Sequence, residues 1–169
     1  MRQIKLSVRL QTIADFIEEG ASVADIGTDH GYLPVYLAQS GKARRIIASD
    51  MSAGSLGAAR RSAEKYGVSD KIEFVVAPGL SGIGGIGERS GIGEADIDTI
   101  VIAGVGGETM IGILEGAPQI STGKKLILQP QTKKDELLRY LKETGIEVLE
   151  TALTRDRGRE YTIFSCSTS

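Results

Sequence analysis

The sequence predicts a Rossmann-like α/β fold, an open and mostly parallel sheet that helices cover on both faces. Five short apolar runs have the length and composition of buried parallel strands. Stretches of helical periodicity separate most of these runs, as parallel strands require. After Gly145, two strand-like runs follow each other with only a charged turn between them, which is typical of an antiparallel hairpin. We therefore expect a seven-stranded sheet that ends in a C-terminal hairpin.

An amphipathic helix opens the chain, with Ser7 as its cap and Gly20 near its end. Its apolar residues recur at helical spacing: Leu6, Leu10, Ile13 and Ile17. The five strands are expected at Ser22–Ile26, Arg45–Ser49, Ile72–Val76, Thr99–Ala103 and Lys125–Gln129. The helices between them are expected at Tyr32–Gln39, Ala53–Tyr66, Glu108–Leu114 and Lys133–Glu143. The hairpin strands are expected at Ile146–Thr154 and Arg159–Ser167.

Length and composition indicate one folded domain over residues 1–169. Hydrophobic residues make up 41% and charged residues 25%, as in globular rather than disordered or fibrous proteins. No apolar run is long enough for a membrane span, so the cytoplasm is the expected location. A lone Cys166 and a lone His30 exclude a disulfide framework and leave few metal ligands, so no metal is expected.

The end of the first strand is the expected start of a ligand site, because ligands of such sheets bind outside the carboxyl edge. Gly27 and Gly31 let the backbone approach a cofactor closely. Asp50 ends the second strand, 23 residues after Gly27, a spacing at which a carboxylate accepts both hydroxyls of a ribose. These features predict an adenosine-type cofactor. In the alternative interpretation the glycines only form a tight turn and Asp50 is solvated.

Among adenosine cofactors, S-adenosylmethionine is favoured. The dinucleotide pattern G-x-G-x-x-G is absent at the first turn, where Asp29 takes the place of the middle glycine. A literal match at Gly82–Gly87 follows no strand and lies in the glycine-rich segment Gly79–Gly93, which we expect to be a surface loop. No phosphate-binding G-x-x-x-x-G-K-[ST] motif occurs. A doubly wound sheet ending in a hairpin is also usual among S-adenosylmethionine-dependent methyltransferases.

Three glycines after the fourth strand, Gly104, Gly106 and Gly107, predict close approach of a flat group, either the target base or the cofactor. The alternative is a loop that crosses tightly over the first helix. The sequence lacks the Asn-Pro-Pro-Tyr signature of many exocyclic-amine methyltransferases. Methylation at a ring nitrogen or another atom is therefore favoured.

Four segments together resemble the bacterial tRNA (adenine-22-N1)-methyltransferase family over almost the whole chain. The resemblance implies methyl transfer from S-adenosylmethionine to N1 of an adenine in the D arm of tRNA. The most specific segment is the eleven-residue run around Asp29 and His30. The four segments are Leu6-Ser-Val-Arg-Leu10, Ala24-Asp-Ile-Gly-Thr-Asp-His-Gly-Tyr-Leu-Pro34, Ile102-Ala-Gly-Val-Gly-Gly107 and Leu126-Ile-Leu-Gln-Pro130.

The sequence departs from this family in two places. Members typically carry Gly-Asp-Gly-Leu after the third strand, where this chain has Ala77-Pro78-Gly79-Leu80. Members also continue into a C-terminal helical extension, whereas this chain ends at Ser169. We therefore expect either the catalytic domain without that extension, or a compact relative with weaker tRNA binding or another substrate. The resemblance leaves the oligomeric state undetermined.

We expect Asp25 to receive the methionyl ammonium and Asp50 the ribose. Gly27, Thr28 and Gly31 are expected to form the backbone cradle. The adenine is expected between Met51 and Leu80, near the amide of Gly79, and the methyl-donor side to be lined by Ala103, Gly104 and Val105.

Asp29 is the expected stabiliser of the cationic product base, with His30 or Tyr32 stacking on the base or hydrogen-bonding to it. Alternatively, Asp29 caps the following helix or closes an Asx turn.

A basic rim is expected to contact tRNA phosphates, because a net charge of −2 provides no global attraction. Its candidates are Lys5, Arg9, Arg155, Arg157 and Arg159. Three other functions stay open: a methyltransferase with another substrate, a non-catalytic S-adenosylmethionine- or RNA-binding module, and a nucleotide-dependent oxidoreductase. Turnover separates the enzymes from the module, and binding of a nicotinamide cofactor would favour the oxidoreductase.

Overall fold

The computed structural model describes residues 2–81, 83, 97–117 and 123–168. The helices within these ranges are α1 (Val8–Asp15), α2 (Tyr32–Ser40), α3 (Ala53–Lys65), α4 (Gly107–Glu115) and α5 (Lys134–Glu143), with a short 3-10 turn at Ser69–Lys71. The strands are β1 (Ala21–Ile26), β2 (Ala43–Asp50), β3 (Glu73–Val76), β4 (Thr99–Val105), β5 (Lys125–Pro130), β6 (Glu147–Asp156) and β7 (Arg159–Ser167). The Gly82–Gly87 motif and most of the Gly79–Gly93 segment lie outside the described residues.

The seven strands form one sheet in the order β3-β2-β1-β4-β5-β7-β6. Strands β1 to β5 are parallel, and β7 runs antiparallel to both β5 and β6. The order of connections reverses between β1 and β4, so their carboxyl ends flank the point where ligands bind in doubly wound sheets. The predicted Rossmann-like fold, with its N-terminal helix and C-terminal hairpin, is confirmed.

The sheet is covered on both faces, which explains why its central strands read as continuous apolar runs. All six residues of β1 are buried. On one face, Ile13 of α1, Val35 of α2 and Ala63 of α3 belong to a single apolar cluster. On the other face, Met110 of α4 and Leu137 of α5 belong to a second cluster. Helices on both faces leave only the strand ends free for a site.

The N-terminal helix has the predicted cap, since the Ser7 hydroxyl accepts a hydrogen bond from the amide of Leu10. Helix α5 begins at Lys134, one residue later than predicted. Lys133 adopts a left-handed backbone (φ 57°), which no helical residue can have. Among the described helices, the longest has 13 residues, and none has the length and apolarity that a membrane crossing needs.

Close packing of α2 against α3 depends on Gly31. This glycine is buried with a φ of +72°, and a Cβ there would lie 2.7 Å from the Cβ of Ala59 and 2.9 Å from its Cα. Such distances are shorter than any non-bonded carbon contact, and the left-handed backbone adds strain for any other residue. Gly31 therefore fixes how closely α2 approaches α3.

Replacing Gly31 with alanine should lower the free energy of unfolding by about 2–4 kcal/mol, because the new Cβ would clash with Ala59 and alanine would be strained at this positive φ. Urea unfolding followed by circular dichroism measures this change. Gly112 in α4 is the matched control: it is exposed, and a Cβ there would meet nothing within 4 Å among the described residues. Gly112→Ala should stabilise the protein by about 0.5–1 kcal/mol. Equal effects of the two variants would contradict the packing argument.

Candidate active site

The turn between β1 and α2 is anchored to the end of β2. The amides of Gly27 and Thr28 both donate to the carbonyl of Ser49, at 2.8 and 3.0 Å. The amide of Asp29 donates to Oδ2 of Asp50 at 3.2 Å. These bonds bring the two halves of the predicted site together at the carboxyl edge of the sheet.

Of the glycines predicted as a cofactor cradle, only Gly27 leaves open space. Its φ is +73°, it is exposed, and a Cβ built on it would meet no described atom within 4 Å. Gly31 serves the packing of α2 on α3 instead. A ligand can therefore approach the backbone closely at Gly27.

Asp25 is a buried carboxyl group at the carboxyl end of β1. Its side chain is only 6% exposed, and Oδ2 accepts a hydrogen bond from the Thr28 hydroxyl at 2.9 Å. Burial raises the pKa of Asp25 from 3.8 to about 7, while the Thr28 bond and the charge of Arg9 act in the opposite direction and Asp50 adds to the rise. A buried carboxyl with a perturbed pKa at a ligand edge is typical of a functional group. A bound ammonium would restore its charge.

Asp50 is held by the backbone on both sides. Oδ2 accepts from the Asp29 amide, and Oδ1 accepts from the amide of Ser52 at 2.9 Å. Each carboxylate oxygen keeps a further lone pair, so the half-buried Asp50 remains able to accept from ribose hydroxyls.

Apolar side chains stand exposed beside Asp50. Met51 is 75% exposed, and Val76, which pairs with Asp50 in the sheet register, is 55% exposed. Exposed apolar groups at a ligand edge suit a flat ring. Val76 was missed by the sequence analysis, although its place at the last position of a strand on the carboxyl edge was a usable signal.

The expectation that Leu80 packs against the adenine, opposite Met51, does not agree with its burial. It is 2% exposed and belongs to the same apolar cluster as Ile83 and Ile97, so its side chain offers no open face to a ring. Burial could not be read from its sequence neighbours. The neighbouring Gly79 has a φ of +52° and is half-buried.

Asp29 projects from the open side of the turn. Its side chain is 73% exposed and its φ is 54°, a left-handed conformation that aspartate tolerates better than most residues. The N-cap position of helix α2 is Gly31, which has no side chain to cap the helix. Next to it, the rings of His30 and Tyr32 stack at a centroid distance of 5.4 Å with 19° between their planes.

The three glycines at the end of β4 and directly after it have two different roles. A Cβ on Gly107 would lie 2.5 Å from the Lys133 carbonyl oxygen, and one on Gly106 would lie 2.8 Å from the Thr132 hydroxyl. These two glycines therefore serve contact with the loop after β5, neither a flat ligand nor the first helix. Gly104 is exposed with a φ of +79° and remains available to a ligand, beside the half-buried Ala103 and Val105.

Arg9 differs from the other cations of the predicted RNA rim, because neighbouring groups hold its side chain. It is half-buried, its Nη1 donates to Oε1 of Gln129 at 2.7 Å, and its Cζ lies 5.7 Å from the ring centroid of Tyr161. The helical spacing of α1 predicts a helix, but it does not show that Arg9 of this helix contacts the end of β5. Gln129 was also not singled out by the sequence analysis as a partner of a site residue. Its position as a polar residue at the end of the apolar run of β5 was a usable signal.

The other cations of the predicted rim are exposed: Lys5, Arg155, Arg157 and Arg159. The described residues include no group of three or more side chains placed to hold a metal ion.

Comparisons with known proteins identify the family of the chain. A family model described as "Methyltransferase domain" matches residues 6–164. The tRNA (adenine(22)-N(1))-methyltransferase of Bacillus subtilis (strain 168) is 37% identical over 164 residues, which are 96% of this chain and 65% of that protein. The crystal structure of the B. subtilis M1A22 tRNA methyltransferase TrmK has a TM-score of 0.86 at 32% identity, with 99% of this chain and 68% of that chain covered. The chain belongs to this methyltransferase family.

A third relative bears on the cofactor of the family. A putative tRNA (m1A22) methyltransferase of Streptococcus pneumoniae, solved in complex with S-adenosyl-L-methionine, has a TM-score of 0.88 at 30% identity, with 98% of this chain and 74% of that chain covered. S-adenosylmethionine is thus the cofactor of the methyltransferase family. The open Gly27, the buried Asp25 and the exposed Met51 fit such a group. Family membership favours methyl transfer over the oxidoreductase alternative.

Asp25→Asn should stabilise the unliganded methyltransferase domain at pH 8 by about 1–3 kcal/mol relative to wild type, because ionised Asp25 is buried at a cost. The raised folded-state pKa means that this group's contribution to stability is full below its unfolded pKa of 3.8 and is lost as pH rises through about 7. At pH 5 the two proteins should differ much less. Urea unfolding at both pH values measures the difference.

If Asp25 receives the ammonium of the methionyl group, as the sequence predicts, the same variant should bind S-adenosylhomocysteine more weakly, because it no longer offers that ammonium a negative charge. Wild-type affinity should rise between pH 6 and pH 8, whereas that of Asp25→Asn should stay flat. Calorimetry checks both expectations. If the difference in unfolding free energy between the two proteins does not change with pH, ionisation of the buried Asp25 does not destabilise the fold.

Proposed function

We propose that this domain transfers a methyl group from S-adenosylmethionine to N1 of an adenine in the D arm of tRNA. The observation that carries the proposal is the exposed carboxylate of Asp29, which stands at the open carboxyl edge between Asp50 and the stacked rings of His30 and Tyr32. The choice of N1 and of adenine 22 follows the name of the Bacillus subtilis relative, of whose length this chain spans 65%.

To catalyse methylation at a ring nitrogen, the protein mainly has to position the two reactants and stabilise the charge that develops on the base. When bound, S-adenosylmethionine supplies an electrophilic methyl group on a sulfonium. N1 of adenine has its own lone pair, so the protein need not remove a proton before attack. As the bond between N1 and the methyl group forms, the methyl–sulfur bond breaks with its electron pair left on sulfur, and the positive charge passes to the base. The carboxylate of Asp29 is the group at the open edge that stabilises such a charge.

The target base must leave its stack, because N1 lies on the edge that base pairing covers. His30 and Tyr32 are near-parallel and exposed, with 57% of the His30 side chain and 44% of Tyr32 accessible. Their stacked rings offer a face to an extruded adenine. Gly104, with no side chain, leaves room on the β4 side of the same edge.

The hairpin turn supports a contact with the tRNA backbone. Leu128 of β5 pairs with Phe164 of β7, and β5 ends two residues later, at Pro130. Strand β7 begins five residues before Phe164, so the hairpin continues about three residues, roughly 10 Å, beyond the carboxyl end of β5. Its exposed arginines thus stand on the same edge as Asp29.

The experiment that tests the proposal is incubation of the protein with labelled S-adenosylmethionine and unmodified bacterial tRNA, followed by nucleoside analysis. We expect label in 1-methyladenosine. A tRNA transcript with guanine in place of adenine 22 is the control and should take up no label. Label in another nucleoside, or equal label in the control transcript, would contradict the proposed target.

Asp29→Asn should lower turnover by roughly 10²-fold or more, the usual scale for loss of a positioned charge. Asparagine tolerates the left-handed backbone and keeps the size of the side chain, so the melting temperature and the affinity for S-adenosylhomocysteine should stay close to those of wild type. Single-turnover kinetics with tRNA measures the effect. Near-normal turnover in a folded variant would remove Asp29 from the chemistry.

Charge reversal of Arg155, Arg157 and Arg159 to glutamate should weaken tRNA binding and reduce the slope of log K against log salt by about one to three. Filter binding over a range of salt concentrations measures both quantities. The matched control reverses three exposed cations at the opposite, amino end of the parallel strands: Lys65 at the end of α3, Lys71 just before β3, and Lys142 in the last turn of α5. If the control variant loses as much affinity as the hairpin variant, the hairpin is not the RNA surface.

A further inference from the structure

Gln131 lies exposed at the carboxyl edge, in the loop between β5 and α5. Its backbone amide donates to the carbonyl of Val105, the last residue of β4, at 2.8 Å. Its side chain is bonded at one end, where Oε1 accepts from Nε2 of Gln129 at 2.9 Å. Within the part of the chain that the structure describes, no group accepts from Nε2 of Gln131. The side chain therefore keeps two N–H donors for a ligand at this edge.

Gln129 determines which end of the Gln131 amide stays unbonded. It is fully buried, and its Oε1 accepts from Nη1 of Arg9 at 2.7 Å and from the amide of Gly104 at 3.1 Å. Because both partners can only donate, the other end of the Gln129 amide is Nε2, which donates to the Pro130 carbonyl at 3.1 Å and to Gln131. The atom of Gln131 that meets this donor is therefore its acceptor, Oε1. Gln129 is thus a positioning residue that leaves the amino group of Gln131 as the unbonded end.

The loop that carries Gln131 and the turn that carries Asp29 lie on opposite sides of the end of β4. Strands β1 and β5 both pair with β4, so their carboxyl ends are two strand spacings apart, roughly 10 Å. Gly104 of β4 lies between them and is exposed, with no side chain to fill the gap. A flat base that enters beside the stacked rings of His30 and Tyr32 and extends over Gly104 therefore meets the amide of Gln131 at its far edge.

We propose that Gln131 selects the target adenine by binding the edge of the base that carries N7 and the 6-amino group. Nε2 donates to N7, and the second lone pair of Oε1 accepts from the amino group. A glutamine amide matches this edge of adenine with two hydrogen bonds, whereas guanine presents an acceptor, O6, in place of the amino group. The contact leaves N1 uncovered, as methyl transfer to N1 requires. The inference rests on the proposed function, because it names the residue that recognises the base in that reaction.

A tRNA with 7-deazaadenine at the target position tests the proposal, because this base has C–H in place of N7 and keeps N1 and the amino group. Single-turnover kinetics on this tRNA and on the unmodified one gives each protein's preference for adenine. The preference of the wild-type protein should exceed that of Gln131→Ala roughly 2- to 10-fold, the scale of one hydrogen bond. Any effect of the base change on N1 itself cancels in this comparison. On unmodified tRNA, Gln131→Ala should be roughly 5- to 100-fold slower than wild type, the scale of a two-bond base contact.

Gln131→Glu separates recognition of the base from packing of the loop. Its carboxylate still accepts from Nε2 of Gln129 but offers no donor to N7, so it should lose the preference for adenine as Gln131→Ala does. Gln3→Ala is the matched control and should keep the wild-type preference. Gln3 is exposed and precedes Ile4, whose amide donates to Gln39 near the end of α2, at the other edge of the sheet.

Equal preferences in the wild-type protein and both Gln131 variants would overturn the proposal, because Gln131 would then make no contact with N7. Calorimetry should find the affinity of Gln131→Ala for S-adenosylhomocysteine close to that of wild type. A loss of this affinity as large as the loss of rate would overturn the proposal, since Gln131 would then only maintain the cofactor site. A wild-type protein that methylates neither tRNA would instead refute the proposed function and, with it, this inference.

Discussion

Hydrogen bonds between the β1–α2 turn and the end of β2 set the geometry on which the rest of the site depends. The Ser49 carbonyl accepts from two successive amides of the turn, and the Asp50 carboxylate accepts from the next one. With these bonds made, Gly27 and Asp29 take left-handed conformations and the turn opens outward. The same bonds orient Asp50 and place Asp29 beside it, so the ribose-binding and catalytic candidates share one backbone framework.

Burial of Asp25 adds an energetic constraint to this framework. A carboxyl group in the sheet interior is costly to ionise, and only one side-chain hydrogen bond, from Thr28, compensates it among the described residues. A core residue chosen for stability alone would be apolar at this position. The domain thus accepts a local cost in stability where a cationic ligand group would restore the balance.

Glycines around the edge illustrate how one residue type meets two separate demands. Gly31 and Gly107 are buried, and their missing side chains let elements of the scaffold approach one another. Gly27 and Gly104 have positive φ values and lack such backbone contacts: a Cβ on Gly27 would meet no described atom within 4 Å, and one on Gly104 would meet only the Arg9 guanidinium, at 3.9 Å, so their missing side chains leave room for a ligand. Both kinds occur in the same short loops, because the loops that bind the ligand must also be packed tightly enough to hold their shape.

The sequence by itself determined the fold, because short apolar runs that alternate with stretches of helical periodicity form a local pattern typical of buried parallel strands and their connecting helices. It also determined the candidate carboxylates, since Asp25, Asp29 and Asp50 lie at or just after the carboxyl ends of two strands that share one edge. Only the tertiary structure decided the burial of Leu80, the exposure of Val76 and the division of the glycines. It alone placed Arg9 of the first helix on Gln129, 120 residues away in the chain. Contacts of that kind depend on how elements pack across the sheet, which no local pattern of residue types encodes.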